Sequence, residues 1–288
     1  MVEERSDISI QYGLQITTEA EKLGILKPNH ERRGFYIVVD GLDGIGKGEV
    51  IRSLKAFEER QGRAVFDTIS ASKARRKGLP ELSDFWAPPE TYYDSIIVAE
   101  PTYAGIGHNI RQEIIARNGR SYTAEDEIQA YSLDRLMQLK RVIIPALQNG
   151  LNVISSRCCA STLTYQSVRA EDEGQDTERI RQRILAHAGN QLQLEWAPNL
   201  LIIPTIDNPD ELMERLRRRS DIRKEDNAIF EDVKFQERLK PLFESVWLRK
   251  IFQNRGTLVG YIDAGKSVHE TQRQAVEVYR NFLELSKN

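Results

Sequence analysis

Short apolar runs alternate with longer amphipathic stretches along most of the chain. The runs contain many β-branched residues and few charges, a pattern typical of strands buried inside a parallel sheet. We predict strands at 34–40, 64–69, 95–101, 151–155, 199–206 and 257–262. The longest predicted helix, 121–148, begins at a Thr123–Asp126 capping box and is expected to kink at Pro145. Strands that alternate with helices in this way predict an α/β fold with a mostly parallel sheet flanked by helices.

Three segments stand apart from this alternation. Residues 1–33 are mostly polar, so we predict an N-terminal extension outside the main fold, with 34–288 forming one domain. Residues 71–94 are basic and rich in turn-forming residues, which predicts an exposed insertion or a lid. The stretch from Ser220 to Glu231 is charged and is predicted to be a loop.

Composition and charge narrow the class of protein. The 288 residues are 40% hydrophobic, which is enough for a core and excludes wholesale disorder. The net charge of −2 argues against a dedicated nucleic-acid-binding surface. We expect no membrane span, because no run approaches about 18 apolar residues. Cys158 and Cys159 are adjacent and form no disulfide framework, which favours the cytoplasm.

The most specific chemistry lies just after the first strand of the predicted domain. Gly41, Gly46 and Lys47 have the G-x-x-x-x-G-K spacing, between a predicted strand and a predicted helix, as a phosphate-binding P-loop requires. The glycines let successive backbone N–H groups converge on a phosphate, while the helix N-terminus and the lysine add positive charge. The predicted nucleotide-binding residues are Gly41, Asp43, Gly44, Ile45, Gly46, Lys47, Gly48 and Glu49.

Position 48 departs from the P-loop motif. The motif has Ser or Thr there, whose hydroxyl binds Mg²⁺, and this chain has Gly48. Phosphate binding survives the change, because the backbone and Lys47 supply it. Placement of the metal then requires other groups, so the sequence identifies no metal ligands.

Four segments, in this order and spacing, resemble the thymidylate kinase family of nucleoside monophosphate kinases. They are FYIVVDGLDGIGKG (35–48), AEPTYAGIGHNIR (99–111), AYSLDR (130–135) and SSRCCASTLTYQ (155–166). The resemblance implies a P-loop kinase fold with a sheet of about five strands and a short lid at about 215–231. It implies ATP-dependent phosphorylation of a deoxynucleoside monophosphate, dTMP above all, with ATP and Mg²⁺ as cofactors. It also implies a homodimer.

The resemblance assigns roles around the sugar and the base of the acceptor nucleotide. Asp43 would accept the sugar 3′-hydroxyl, and Tyr165 would crowd the 2′ position and so select deoxyribose. Tyr131 would stack on the base, and Arg135 would donate to one of its carbonyls. Tyr131 and Arg135 are four residues apart, so they share one face of a helix.

Other residues are expected to bind the phosphates of the two nucleotides. Arg157 would reach the acceptor phosphate, and the matching segments add Glu100 and Ser161 to the substrate site. The lid would supply Arg219 and Arg223 to ATP, because this P-loop carries no arginine of its own. Together with Lys47, these three arginines form the predicted catalytic set.

The sequence departs from the family pattern at positions that bind phosphates and metal in the family. Ala99 stands in place of an arginine that grips the acceptor phosphate, and Ser156 in place of an aspartate that helps to organise the metal. Further differences from the family pattern occur at Gly48, Thr102, Tyr103 and Cys158.

Three interpretations therefore stay open. An active enzyme would use relocated groups: Asp40, Glu49 or Glu100 for a hydrated Mg²⁺, and a cation from 73–77 in place of the missing arginine. A kinase with another donor or acceptor, such as polyphosphate, is the second. A nucleotide-binding protein without turnover is the third.

Overall fold

The fold is that of a computed structural model, which describes residues 13–15, 34–75, 78–208, 211–212, 214 and 233–286. The strands are β1 (Gly13–Gln15), β2 (Tyr36–Val39), β3 (Val65–Asp67), β4 (Trp86–Ala87), β5 (Thr91–Tyr92), β6 (Ser95–Ala99), β7 (Asn152–Ser156), β8 (Leu200–Thr205) and β9 (Leu258–Asp263). In these residues seven strands form the main sheet, in the order β1-β9-β8-β2-β7-β6-β3, and β4 pairs with β5 in a separate hairpin. All neighbours in the main sheet are parallel except β1 and β9. The predicted α/β fold with a mostly parallel sheet is confirmed.

Strand β1 corrects one expectation about the N-terminus. Gly13–Gln15 pairs antiparallel with β9, with Gly13 opposite Tyr261. These three residues of the predicted extension therefore belong to the main sheet, and they bring it to seven strands where the resemblance implied about five. The rest of 1–33 lies outside the described residues.

Helices cover both faces of the sheet. They are α1 (Lys47–Arg60), α2 (Thr68–Arg75), α3 (Leu82–Phe85), α4 (Gly105–Ile110), α5 (Ala124–Gln138), α6 (Ile144–Gln148), α7 (Cys159–Asp172), α8 (Thr177–Ala186), α9 (Ala188–Glu195), α10 (Val233–Phe243), α11 (Val246–Gln253) and α12 (Val268–Leu285). Among the described residues, none of these helices is of the length and apolarity that a membrane crossing needs.

The predicted helix 121–148 is a chain of three segments. The Thr123–Asp126 capping box is present and α5 begins directly after it. A π-helical turn, Leu139–Ile143, then leads into α6. The π-helical turn closes with Ile144 N donating to the Leu139 carbonyl. Pro145 is the next residue, and it has no backbone N–H to donate. The irregularity therefore precedes the proline.

The core lies in two layers, one on each face of the sheet. Alternate side chains of a strand point to opposite faces, so Tyr36 and Val38 join one apolar cluster while Ile37 and Val39 join the other. All four are fully buried, which explains the continuous apolar run in the sequence.

The insertion at 71–94 is packed against the domain, contrary to the predicted exposed insertion or lid. Phe85 is fully buried and its ring lies 5.8 Å from that of Phe66. Arg141, in the π-helical turn, donates to the Pro80 carbonyl at 3.3 Å and pairs with Glu81 at 2.7 Å. Apolar side chains within this basic stretch hold it on the core. Residues 76–77 lie outside the described part, as does the predicted lid at about 215–231.

Candidate active site

The P-loop connects the end of β2 to the first turn of α1. Gly41, Gly44 and Gly46 have φ angles of +148°, +73° and +97°, which L side chains rarely adopt. A Cβ at Gly41 would also lie 3.3 Å from the Pro204 carbonyl oxygen. Glycine at these positions therefore permits the curl that turns backbone N–H groups towards a phosphate. The predicted strand–loop–helix context is present.

Lys47 lies over this loop. Its Nζ donates to the carbonyls of Gly41 at 3.0 Å and Leu42 at 2.6 Å, and it is 3.6 Å from Asp43 Oδ1. The ammonium group is thus held at the loop by neutral oxygens and one carboxylate. Phosphate oxygens are stronger partners for an ammonium group than these carbonyls, so a bound nucleotide can displace them.

Asp40, the last residue before the loop, links it to helix α7. Its Oδ1 accepts from Gly41 N at 2.8 Å and Ser161 Oγ at 2.6 Å. Its Oδ2 accepts from Cys158 N and Ser161 N, both at 3.0 Å. The carboxylate is fully buried, and it lies at a helix N-terminus, where negative charge is stabilised.

Arg157, Asp43 and Tyr165 form a second cluster beside the loop. Arg157 adopts a left-handed φ of 75°; its NH2 group donates to Asp43, and its NH1 group donates to Ser161 Oγ at 2.7 Å. Tyr165 OH donates to Asp43 Oδ2 at 3.0 Å. Burial opposes the charge of Arg157, but Asp43, Tyr165 and Asp40 together outweigh it, so the pKa of Arg157 is raised. The structure thus brings together four predicted substrate-binding residues. Asp43 is more than 100 positions away in sequence from the other three, Arg157, Ser161 and Tyr165.

Tyr131 of α5 faces this cluster. Burial raises the pKa of Tyr131, with Glu127 adding to the increase and the charges of Arg157 and Arg111 opposing it. The phenol therefore lies within electrostatic range of both arginines, and its stacking on a base stays a prediction.

Arg135 and Glu100 are placed differently. They form a buried ion pair, with Arg135 Nε and NH2 at 2.8 and 2.7 Å from Glu100 Oε2. Arg135 also donates to Asn190 Oδ1 and, at 3.1 Å, to Thr162 Oγ1. Gln193 donates to the other oxygen of Glu100 at 3.0 Å. A contact between Arg135 and a base requires it to exchange one of these partners, so its base-binding role stays a prediction.

The loop fits the phosphates of ATP better than the chain fits Mg²⁺. The oxygens of Asp40 are occupied by four donors, and Glu100 is committed to Arg135 and Gln193. Glu49 pairs with Arg52 on the same helix. Within the described ranges, no three or more His, Cys, Asp or Glu side chains converge on one point. The metal ligands therefore remain unassigned.

Two contributions to the site were missed from the sequence. Asp40 was considered only as a metal ligand, although its place at the carboxyl end of a buried strand marks it as a site residue. Gln236 of α10 accepts from Asp43 N at 2.8 Å, and nothing in the local pattern predicts it. Arg219 and Arg223 lie outside the described residues.

Comparisons with known proteins point to one family. A family model described as thymidylate kinase matches residues 88–275. A thymidylate kinase of Cereibacter sphaeroides is 28% identical over 253 residues, covering 87% of this chain and 96% of its own. A probable thymidylate kinase of Archaeoglobus fulgidus is 25% identical over 258 residues, covering 88% and 99%.

A solved structure supports the fold. Thymidylate kinase from Candida albicans superposes with a TM-score of 0.54 at 19% identity, covering 86% of this chain and 92% of that one. Because the family model spans well over half of the residues, the chain belongs to the thymidylate kinase family of phosphotransferases.

Proposed function

We propose that this enzyme transfers a phosphoryl group from ATP to a deoxynucleoside monophosphate, with dTMP as the preferred acceptor. The observation that carries the proposal is the position of Asp43. It lies 3.6 Å from the P-loop lysine and also accepts from Arg157 and from Tyr165. One carboxylate thus joins the donor loop to the acceptor cluster, which would hold the two nucleotides close enough for in-line transfer.

The chemistry needs positioning and charge neutralisation more than proton transfer. A monophosphate acceptor is already ionised at neutral pH, so no general base is required. Lys47 and the loop amides hold the β- and γ-phosphates, and Arg157 holds the acceptor phosphate in line. Mg²⁺, when bound, neutralises charge on the donor phosphates, largely through its own water molecules. Arg219 and Arg223 of the proposed lid complete the cationic set.

The same cluster supports selection of deoxyribose. The hydroxyl of Tyr165 is fixed by Asp43 at 3.0 Å, and its ring packs near Phe235 and Phe243 at 5.8 and 6.3 Å. A side chain held in place by these contacts would be the steric limit for a ribose 2′-hydroxyl, and Asp43 would accept the 3′-hydroxyl.

A panel of nucleoside monophosphates tests the proposal. With ATP and Mg²⁺, we expect ADP formation to be fastest with dTMP. Lys47→Ala should lower the rate by at least about 100-fold, whereas Lys55→Ala, on the same helix and paired with Glu59 at 3.8 Å, should not. A folded protein without monophosphate-dependent turnover would contradict the proposal. Polyphosphate as donor in the same panel tests the second interpretation.

We also propose a cytoplasmic homodimer. The two cysteines are buried free thiols, which suits a reducing compartment. Leu133 and Met137 lie one turn apart on α5 and are 48% and 42% exposed. Apolar side chains exposed together on one helix face favour burial against a second copy.

A further inference from the structure

Arg111 is a partly buried cation with neutral partners. Its Nε donates to the Thr102 carbonyl at 3.2 Å, and its NH2 group donates to the Pro101 carbonyl. The guanidinium carbon lies 3.8 Å from the centre of the Tyr103 ring. Within the described part of the chain, the ion pairs found within 4.0 Å do not include Arg111. Two carbonyls and a ring fix the group in place, and the carboxylate that acts on it, Asp134, forms no ion pair with it within 4.0 Å.

A second cation faces this group. Burial lowers the pKa of Arg111, and the positive charge of Arg157 lowers it further against the opposing effect of Tyr103. The sheet explains why the two meet: Ala99 at the end of β6 is in register with Ser156 at the end of β7. The Arg111 guanidinium is bonded to carbonyls just after β6, and Arg157 directly follows β7. Both groups therefore lie at the carboxyl edge of adjacent strands, where ligands bind in open α/β sheets.

The two arginines differ in what balances their charge. Arg157 donates to Asp43 and lies 3.8 Å from Asp40, whereas the partners of Arg111 are uncharged. Lys73, 4.2 Å from the centre of the same Tyr103 ring, adds further positive charge. Asp134, which accepts from Thr102 N and Oγ1 at 2.7 Å, offsets part of the charge of Arg111. A partly desolvated cation whose direct partners are neutral is still unfavourable, so an anion would stabilise this corner of the site.

The neighbouring residues indicate which anion. Tyr131 lies within electrostatic range of both arginines, so the corner is on the acceptor side of the site. Ala99 lines a small pocket with Ser72, Thr102 and Tyr103, and as an alanine it offers no charge there. The family pattern has a phosphate-binding arginine at position 99, so in this chain the positive charge for this corner must come from another position.

We propose that Arg111, held by Tyr103, binds the phosphate of the acceptor nucleotide together with Arg157. The inference rests on the proposed function, since it assigns a residue to the same acceptor site. It makes Arg111 a substrate-binding residue that acts on the phosphomonoester and not on the base or on ATP. The guanidinium supplies charge-assisted hydrogen bonds to the dianion and exchanges them for its bonds to the carbonyls.

Paired titrations with dTMP and thymidine test this assignment, because the two ligands differ only in the phosphate. Calorimetry of Arg111→Met should show dTMP binding weakened by roughly 10- to 100-fold and thymidine binding unchanged. The KM for ATP should also be unchanged. Arg117→Met is the matched control: it removes one charge from an exposed residue of the same segment and should leave both titrations as in the wild type.

Each remaining outcome is decisive. Equal weakening of dTMP and thymidine would overturn the assignment, because Arg111 would then shape the pocket as a whole. Arg111→Lys, which keeps the charge and most of the stem, should bind dTMP with intermediate affinity; wild-type affinity in Arg111→Met would overturn the proposal. Failure of the wild-type protein to bind any monophosphate of the panel would reject the proposed function itself, a result distinct from a variant that fails alone.

Discussion

Ser161 makes two hydrogen bonds to Asp40 across 121 positions of sequence: its Oγ donates to Oδ1 at 2.6 Å and its backbone N donates to Oδ2 at 3.0 Å. Asp40 immediately precedes the P-loop, and Ser161 Oγ accepts from Arg157. The pair therefore sets the distance between the loop for the donor and the arginine for the acceptor. In phosphoryl transfer, this positioning is a large part of catalysis.

Asp40→Asn should disturb both stability and activity. An amide NH₂ would replace an oxygen that accepts from N–H groups, so buried donors would face each other. We expect the free energy of unfolding to fall by about 2–3 kcal/mol, with a lower kcat, in urea unfolding and steady-state assays. Asp172→Asn, at the exposed end of α7, is the control and should change neither. Unfolding at the wild-type urea concentration with full activity would show that the link is dispensable.

Gly48→Thr should strengthen the binding of Mg²⁺ and so lower the Mg²⁺ concentration that activity requires. An added Cβ at Gly48 meets no atom within 4 Å, so the side chain fits, and its hydroxyl stands where P-loop kinases bind the metal. We expect the Mg²⁺ concentration for half-maximal activity to fall by roughly tenfold, the equivalent of one charge-assisted hydrogen bond. Gly48→Ala shares the gain in helix propensity but has no hydroxyl. An identical Mg²⁺ requirement in both variants would show that another group places the metal.

Glu127 should make stability depend on pH. Burial raises the pKa of Glu127 from 4.5 to about 7, although Gln166 and Arg169 lower it. Between these values the folded chain binds more protons than the unfolded chain, so the free energy of unfolding falls as pH rises and levels off above about pH 7. Relative to Glu127→Gln, we expect the wild type to lose on the order of 3 kcal/mol across this range.

Urea unfolding at several pH values measures this difference. Glu178→Gln removes a carboxylate whose side chain is 62% exposed and serves as the control, since it should leave the pH dependence of the wild type intact. Parallel curves for the wild type and Glu127→Gln would mean that the buried carboxyl keeps its ordinary pKa.

A charge on the exposed face of α5 should disrupt the proposed dimer. Leu133→Glu together with Met137→Glu would bury two carboxylates against a second copy, which is strongly unfavourable. Light scattering after size exclusion should then give a mass near 33.1 kDa. Val268→Glu changes a residue that is 57% exposed on another helix and should keep the mass of the wild type. A monomeric wild-type protein would refute the dimer directly.

The sequence by itself determined the parts of this protein that depend on near neighbours along the chain. Strand burial follows from an uninterrupted apolar run, the start of α5 from a capping box, and the P-loop from glycines at fixed spacing before Lys47. Each of these is a short-range effect of backbone freedom, hydrogen bonding or hydrophobicity. The four family segments were recognised for the same reason, and the family was confirmed.

Only the tertiary structure decided which partners distant residues have. Helical spacing placed Tyr131 and Arg135 on one face of α5, yet it could not show that Arg135 is buried against Glu100 while Tyr131 faces Arg157. The basic composition of 71–94 predicts an exposed segment, whereas in the structure Phe85 packs on Phe66. The Asp40–Ser161 link and the Arg111–Tyr103 stack were equally hidden. A buried polar group takes the partner that the fold brings within about 3 Å, and that distance is unrelated to separation along the chain.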